Sequence, residues 1–184
     1  MKGGDLRDVL VESERLALRR PLPHDGPHLE RVFCDPAMML YLGRVWTRDA
    51  VADALLEWRD DWGVGERWSG VLVRKDSREP LGTAGLTRDT IPGEPGMELS
   101  WFVLPAQQRQ GFATEISGAL LRFACESLGA GRMVAETHPD NLPSNGVLEK
   151  LGFTSLGERH HSYDYLPGFE TQVLWALTCG RPRK

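Results

Sequence analysis

Cysteine is scarce in this 184-residue chain. Cys34, Cys125 and Cys179 are odd in number and far apart. Such a set argues against a disulfide framework and against zinc, and for a reducing cytoplasm. Long apolar runs are absent: none approaches the ~20 residues that cross a bilayer. The opening "MKGGDLRDVLVESERL" lacks the apolar core of a signal peptide. Basic excess is absent too. A net charge of -4 gives no field for nucleic acid, and the terminal "RPRK" is a short basic tip. No repeat at a fixed period and no low-complexity segment interrupts the chain. Neither a nucleic acid nor a membrane is expected as a partner.

What is present fits one soluble globular domain over residues 1–184, with 41% hydrophobic and 26% charged residues. Residues 1–12 and 180–184 are expected to be flexible ends. "RLALRR" alternates like a strand, and Pro21, Pro23, Gly26 and Pro27 mark a turn. A short helix is predicted through Leu29, Val32 and Phe33, ending before Pro36. In "WTRDAVADALLEWRDDWG", Thr47 is an N-cap, and Val51, Leu55 and Trp58 share a face. "WSGVLVR" and "LGTAGLT" read as a hairpin, and "MELSWFVLP" as the strand that follows a Pro/Gly-rich loop. A long helix carries Ile116, Leu120, Phe123, Ala124 and Leu128 at helical spacing. "RMVAET", a short helix through "PSNGVLEKLG", and two last strands complete the pattern. Hairpins mixed with crossover helices predict an α/β (α+β) fold: a mixed, mostly antiparallel sheet of six to seven strands flanked by about four helices.

The chemistry concentrates where a strand gives way to the long helix, at Gln108-Arg109-Gln110-Gly111-Phe112-Ala113. A dinucleotide fold would show G-x-G-x-x-G, and a triphosphatase loop would end in G-K-[S/T]; neither is present. Free N–H groups at a helix start, with the positive end of its dipole, can seat a phosphate. Gly111 and Ala113 keep side chains out of the way, and Arg109 can add charge. A tight turn without a ligand explains the same six residues equally well.

A second stretch changes that balance. "MVAETHPDNLPSNGVLEKLGF" resembles one half of the acetyl-CoA-binding core of the GNAT superfamily of N-acetyltransferases. The glycine turn resembles the other half, with the signature [R/Q]-x-x-G-x-[G/A]. "ETHPDNLPSNGVLEKLGF" is similar to the N-x-x-S-x-x-x-L-E-K-L-G-F pattern of the branch that includes ribosomal-protein alanine N-acetyltransferases. The opening "ESERLALRR", "DPAMMLYLG" and the last strands resemble the same branch, so the likeness covers nearly the whole chain.

The resemblance implies acetyl-CoA as cofactor and direct attack by a primary amine, either a protein N-terminus or a small molecule. It places the pantetheine arm along Phe102, Val103 and Leu104. The pyrophosphate would lie on Gln108, Arg109, Gln110, Gly111, Phe112 and Ala113, with a hydroxyl contact from Thr114. It puts Asn141 and Ser144 near the thiol, Ser144 as proton donor to the leaving thiolate. An Asn in a turn and a Ser near an N-cap are also ordinary structural choices.

The chemistry itself needs a base, because an alkyl amine of pKa near ~10.4 is protonated at neutral pH. Alternation sets Glu98, Ser100 and Phe102 on one face. The family often uses a Glu on this strand, so Glu98 is the first candidate base and Glu136 the second. His138, His160 and His161 also titrate near neutrality. Trp46 and Trp62 flank the second helix, where the family builds its acceptor pocket, although core packing explains them better. The series Asp49, Asp53, Glu57, Asp60 and Asp61 suits a basic acceptor, but a solvated helix face explains it better. Phe102 disfavours a longer acyl donor. A non-catalytic acyl-CoA-binding or sensing domain is the alternative from another class. "FETQVLWAL" is a candidate edge for a homodimer or a strand buried within the monomer, and the sequence leaves both open.

Overall fold

The alternating and helical patterns resolve into eight strands and four helices in the computed structural model, which describes residues 8–62, 66–160 and 168–180. In chain order they are β1 (Val9–Glu12), β2 (Leu16–Arg19), α1 (Gly26–Phe33), α2 (Arg48–Asp60), β3 (Arg67–Arg74), β4 (Pro80–Arg88), β5 (Met97–Val103), α3 (Phe112–Glu126), β6 (Arg132–Thr137), α4 (Leu142–Lys150), β7 (Thr154–His160) and β8 (Thr171–Thr178). They form one sheet in the order β1-β2-β3-β4-β5-β6-β8-β7. Every neighbouring pair is antiparallel except β5 and β6. The expected α/β sheet is therefore present, with one strand more than anticipated.

The extra strand corrects the expected flexible N-terminus. Residues 9–12 pair with β2, Glu12 opposite Ala17, while residues 1–7 and 181–184 lie outside the described residues. Of the two alternatives for the last strand, the one within the monomer is found. β8 lies between β6 and β7 and is paired along both edges, so the outer edges belong to β1 and β7.

Two apolar layers fix the helices to opposite faces. Phe112, Ile116, Leu120 and Ala124 of α3 and Leu148 of α4 pack with Leu16, Leu18, Leu72, Leu99, Met133 and Trp175 on one face. Leu29, Val32 and Phe33 of α1 and Val51 and Leu55 of α2 pack with Ala17, Val71, Val73 and Phe102 on the other. Each fully buried large side chain contributes about 1.5–3 kcal/mol. Trp46 stacks on Phe33 at 4.7 Å, and Trp62 joins the α3 layer, so both serve packing. Thr47 caps α2 by accepting from the Ala50 N–H at 3.2 Å. The acidic residues of α2 face solvent, as a solvated helix face requires.

The cysteine reading is overturned. Cys125, near the end of α3, and Cys179, just past β8, are joined by a disulfide that ties the helix to the sheet. Their separation of 54 residues hid the pairing, which only the docking of α3 creates. Cys34 is free. The bond removes the cysteine argument for a reducing compartment. No described helix is long and apolar enough to cross a membrane.

One charge pair is deeply buried. Arg19 donates to both carboxylate oxygens of Asp25, at 2.7 and 2.8 Å, with the residues 5% and 2% exposed. The Leu22 N–H adds a third bond at 2.6 Å. Burial works to raise the Asp25 carboxyl, but these hydrogen bonds and the Arg19 charge outweigh it, and its pKa lies below the ordinary value. The pair's stabilisation is therefore complete above the usual carboxylate range and is lost as pH falls through the depressed value. Asp25→Ala leaves the Arg19 charge buried without its counter-ion, with only the Arg20 carbonyl at 3.0 Å to accept from it; the expected cost is about 3–5 kcal/mol in denaturant unfolding. Replacing both partners by apolar residues is expected to cost less than the single change.

Candidate active site

Strand pairing fails at one place in the middle of the sheet. β5 and β6 pair only at Met97 opposite Met133 and Glu98 opposite Val134. β5 nonetheless runs on against β4 as far as Val103, and β6 runs on against β8 as far as Thr137. From Leu99 and Ala135 onward the two strands diverge, and a wedge opens between them. Backbone N–H and C=O groups along such an edge are natural partners for an amide-bearing ligand.

β5 leads into a short 3-10 turn at Pro105–Gln107 and then into the glycine turn before α3. Gly111 has φ 81 and precedes the first helical residue; a side chain is strained in that region. Arg109 is also left-handed, at φ 61. No side chain caps the helix start, so the first-turn N–H groups of α3 are open. Gln108 donates its side-chain amide to the Val103 carbonyl at 2.9 Å and braces the bend. Arg15, just before β2, holds the turn: it donates to the Gln110 carbonyl at 3.0 Å and to Glu115 at 2.7 Å, and its guanidinium lies 4.5 Å over the Phe112 ring. Burial works to raise Glu115, but bonds from Ser13 and Arg15 and the Arg15 charge hold it below the ordinary value.

The carboxylates lie on the opposite face from α3. Phe102, two pairs along from Glu98, meets Phe33 of α1 edge-on at 5.2 Å, which fixes that face as the α1–α2 side. Glu136 lies two residues beyond Val134, the partner of Glu98, and so shares its face. Burial pushes the Glu98 carboxyl up, and the Glu136 charge pushes the same way; a hydrogen bond from the Thr90 hydroxyl opposes both. The net shift is upward. Thr90 belongs to the loop between β4 and β5, which Glu94 ties down through Arg132 at 2.6 Å and Arg159 at 3.5 Å.

Beyond Glu136 a directed chain of hydrogen bonds sets the start of α4. Trp175 donates to Thr137 at 2.9 Å, Thr137 to the Asn145 side-chain carbonyl at 2.6 Å, and the Asn145 amide to the Pro139 carbonyl at 3.0 Å. Asn141 caps α4, its side-chain oxygen accepting from the Ser144 N–H at 3.3 Å. That leaves the Asn141 amide as a donor. Ser144 is half-buried in the first turn of α4.

The wedge thus gathers Glu98 and Glu136 on one face and the Gln108–Thr114 turn at its far end. Three of the expected cofactor contacts are narrowed to particular backbone groups. Phe112 is 2% exposed, so only its backbone N–H can meet a ligand. Leu104 is buried and gives its N–H to the Leu81 carbonyl at 2.9 Å. The Val103 carbonyl already accepts from Gln108. An arm laid along β5 therefore has the edge from Leu99 to Val103, whose carbonyl keeps a second lone pair, but not the Leu104 N–H. His160 is exposed on the outer strand β7 beside Thr171 at 3.3 Å, and His161 lies outside the described residues. His138 is the histidine next to the carboxylates. Thr90 and Asn145 carried no signal in the sequence, because each matters through a tertiary contact. Among the described residues no group of three or more His, Cys, Asp or Glu is placed to hold a metal ion.

Comparison with known proteins agrees with this geometry. The profile of the acetyltransferase (GNAT) domain matches residues 15–154. An uncharacterized N-acetyltransferase, YoaA of Bacillus subtilis, is 25% identical over 172 residues, covering 89% of this chain and 94% of its own. The crystal structure of the ribosomal-protein-S5-alanine acetyltransferase of Vibrio fischeri superposes with a TM-score of 0.76 at 17% identity, over 95% of this chain and 100% of that one. The spermidine N-acetyltransferase of Vibrio cholerae, solved with CoA and spermine, gives 0.75 at 15% identity, over 90% and 96%. The chain belongs to the GNAT acetyltransferase family and is an N-acetyltransferase.

Proposed function

We infer that the protein transfers an acetyl group from acetyl-CoA to a primary amine, free or at a peptide N-terminus, by direct attack in a ternary complex. The observation that carries this reading is the wedge, with a carboxylate pair on one face and an uncapped helix start on the other. Its parts suit the cofactor. The open N–H groups of α3 and the dipole favour pyrophosphate. The unpaired edge of β5 suits the pantetheine amides. The spermidine acetyltransferase of similar fold was solved with CoA, which supports the same donor here.

Acetyl-CoA supplies the activated acetyl group. Glu98 takes the proton of the attacking amine, directly or through a water, and its raised pKa brings its basicity closer to neutrality. Glu136 strengthens that basicity and attracts a cationic acceptor. N–H groups on the open edge of β5 meet the negative charge that develops on the carbonyl oxygen. The Asn141 amide orients the thiol end, and the Ser144 hydroxyl protonates the departing sulfur. The ammonium loses two protons on becoming an amide: one leaves through Glu98 to solvent, and the other replaces the proton that Ser144 gives to the sulfur.

Glu98→Gln is expected to lower kcat by about 10²–10⁴ while calorimetry finds acetyl-CoA affinity unchanged. In the native enzyme kcat falls as pH drops through the Glu98 pKa, and this limb lies above the ordinary carboxylate range because that pKa is raised. The limb should vanish in the variant; its persistence would remove Glu98 as the base. Gly111→Trp is expected to abolish acetyl-CoA binding in a folded protein. Thr114→Glu, which keeps Gly111 and adds a negative charge beside the phosphates, should weaken it about tenfold or more. Native affinity in both variants would refute the phosphate seat.

A further inference from the structure

The connection between α1 and α2 turns apolar side chains to solvent. Leu40, Leu42 and Val45 are 59%, 42% and 42% exposed. Large apolar groups gathered on one exposed segment mark a contact surface. Among them Tyr41 is half-buried, its ring 5.6 Å from that of His138. On its other side His138 meets Phe169 at 5.7 Å. Three segments distant in sequence thus bring three rings together: the α1–α2 connection, the loop after β6, and the approach to β8.

The position of these rings relates them to the chemistry. His138 follows Glu136 by two residues, one past the end of β6, so it stands at the loop end of the strand that carries Glu136, about 7 Å further along. The Asp140 N–H donates to its Nδ1 at 3.2 Å, which fixes the ring against the start of the loop after β6. The acidic residues of α2 offer no continuation of the carboxylate pair, since they face solvent and Glu57 lies 3.7 Å from Arg67. Asp140, whose carboxylate lies 3.9 Å from His138, is 85% exposed, and Glu170 follows Phe169 in the chain. An acceptor whose amine reaches the carboxylates therefore meets rings and leucines with the rest of its body.

We propose that Tyr41, His138 and Phe169 form an apolar subsite that selects acceptors carrying an aromatic or branched apolar group close to the primary amine. The proposal rests on the acetyl-transfer reading. The same chemistry is available from a free arylalkylamine or from a peptide whose first residue is apolar. A second ammonium held by cation–π contact is the competing use of the rings.

The test is thiol release by the full chain at saturating acetyl-CoA, with 2-phenylethylamine, n-butylamine, spermidine and the peptides Leu-Gly-Gly-Gly and Gly-Gly-Gly-Gly. The kcat/KM for 2-phenylethylamine or for the leucine peptide should exceed that of its plain counterpart about tenfold or more. Whichever of the two is preferred identifies the source. Tyr41→Ala and Phe169→Ala should each raise KM for the preferred probe about fivefold or more. Affinity for acetyl-CoA and KM for n-butylamine should not change, and Tyr41→Phe should behave as native. Preference for spermidine, equal effects on apolar and plain probes, or acetyl-CoA binding without turnover of either apolar probe overturns the subsite. Absence of acetyl-CoA binding overturns the acetyl-transfer reading instead.

Discussion

Backbone pairing between β5 and β6 stops after Glu98 and Val134, and the rest of the molecule is arranged around that interruption. A sheet whose strands part in its middle leaves edges that nothing else in the sheet can cover. Here the outer sides of both strands stay paired, β5 with β4 and β6 with β8, so the gap is held open from both flanks. Trp175 ties β8 to the end of β6 through Thr137, and Thr137 passes the constraint to Asn145 and so to the start of α4. The donors and acceptors of this chain are ordered end to end, which fixes the amide orientation of Asn145 as well as its position.

The two faces of the sheet divide the work. α3 sits on one face and directs its uncapped N-terminus at the end of the wedge, with Arg15 and Gln108 fixing the turn that precedes it. The carboxylates and the ring cluster lie on the other face. Separation of this kind lets an anion and a cationic amine approach from opposite sides without crossing each other's field. Burial and then the Glu136 charge raise the cost of ionising Glu98. The Thr90 hydroxyl offsets part of that cost, and its loop is held by the Arg132–Glu94–Arg159 bridge.

The elements with strong local signals were legible in the sequence. Thr47 before an apolar-periodic run is a cap wherever it occurs, and Gly111 ahead of a long amphipathic helix defines a turn that only a few residue types can make. The last strands were legible as strands but not in their order, because β8 pairs between β6 and β7 through contacts the alternation cannot encode. Val9–Glu12 escaped notice for a similar reason: four residues carry too short an alternation, and pairing with β2 alone makes them a strand. The family signature covered the glycine turn and the Asn141–Ser144 segment, but it said nothing of Thr90, Asn145 or Phe169.

By itself the sequence determined the helices, most of the strands, the glycine turn and the face that Glu98 shares with Phe102, since each follows from periodicity or from the φ a residue tolerates. Tertiary structure alone decided where β5 and β6 part, which cysteines meet, and which carboxylate is buried enough to have its pKa raised. Those outcomes depend on distances between residues far apart in the chain, and such distances exist only once α3 and α4 have docked on one face and α1 and α2 on the other.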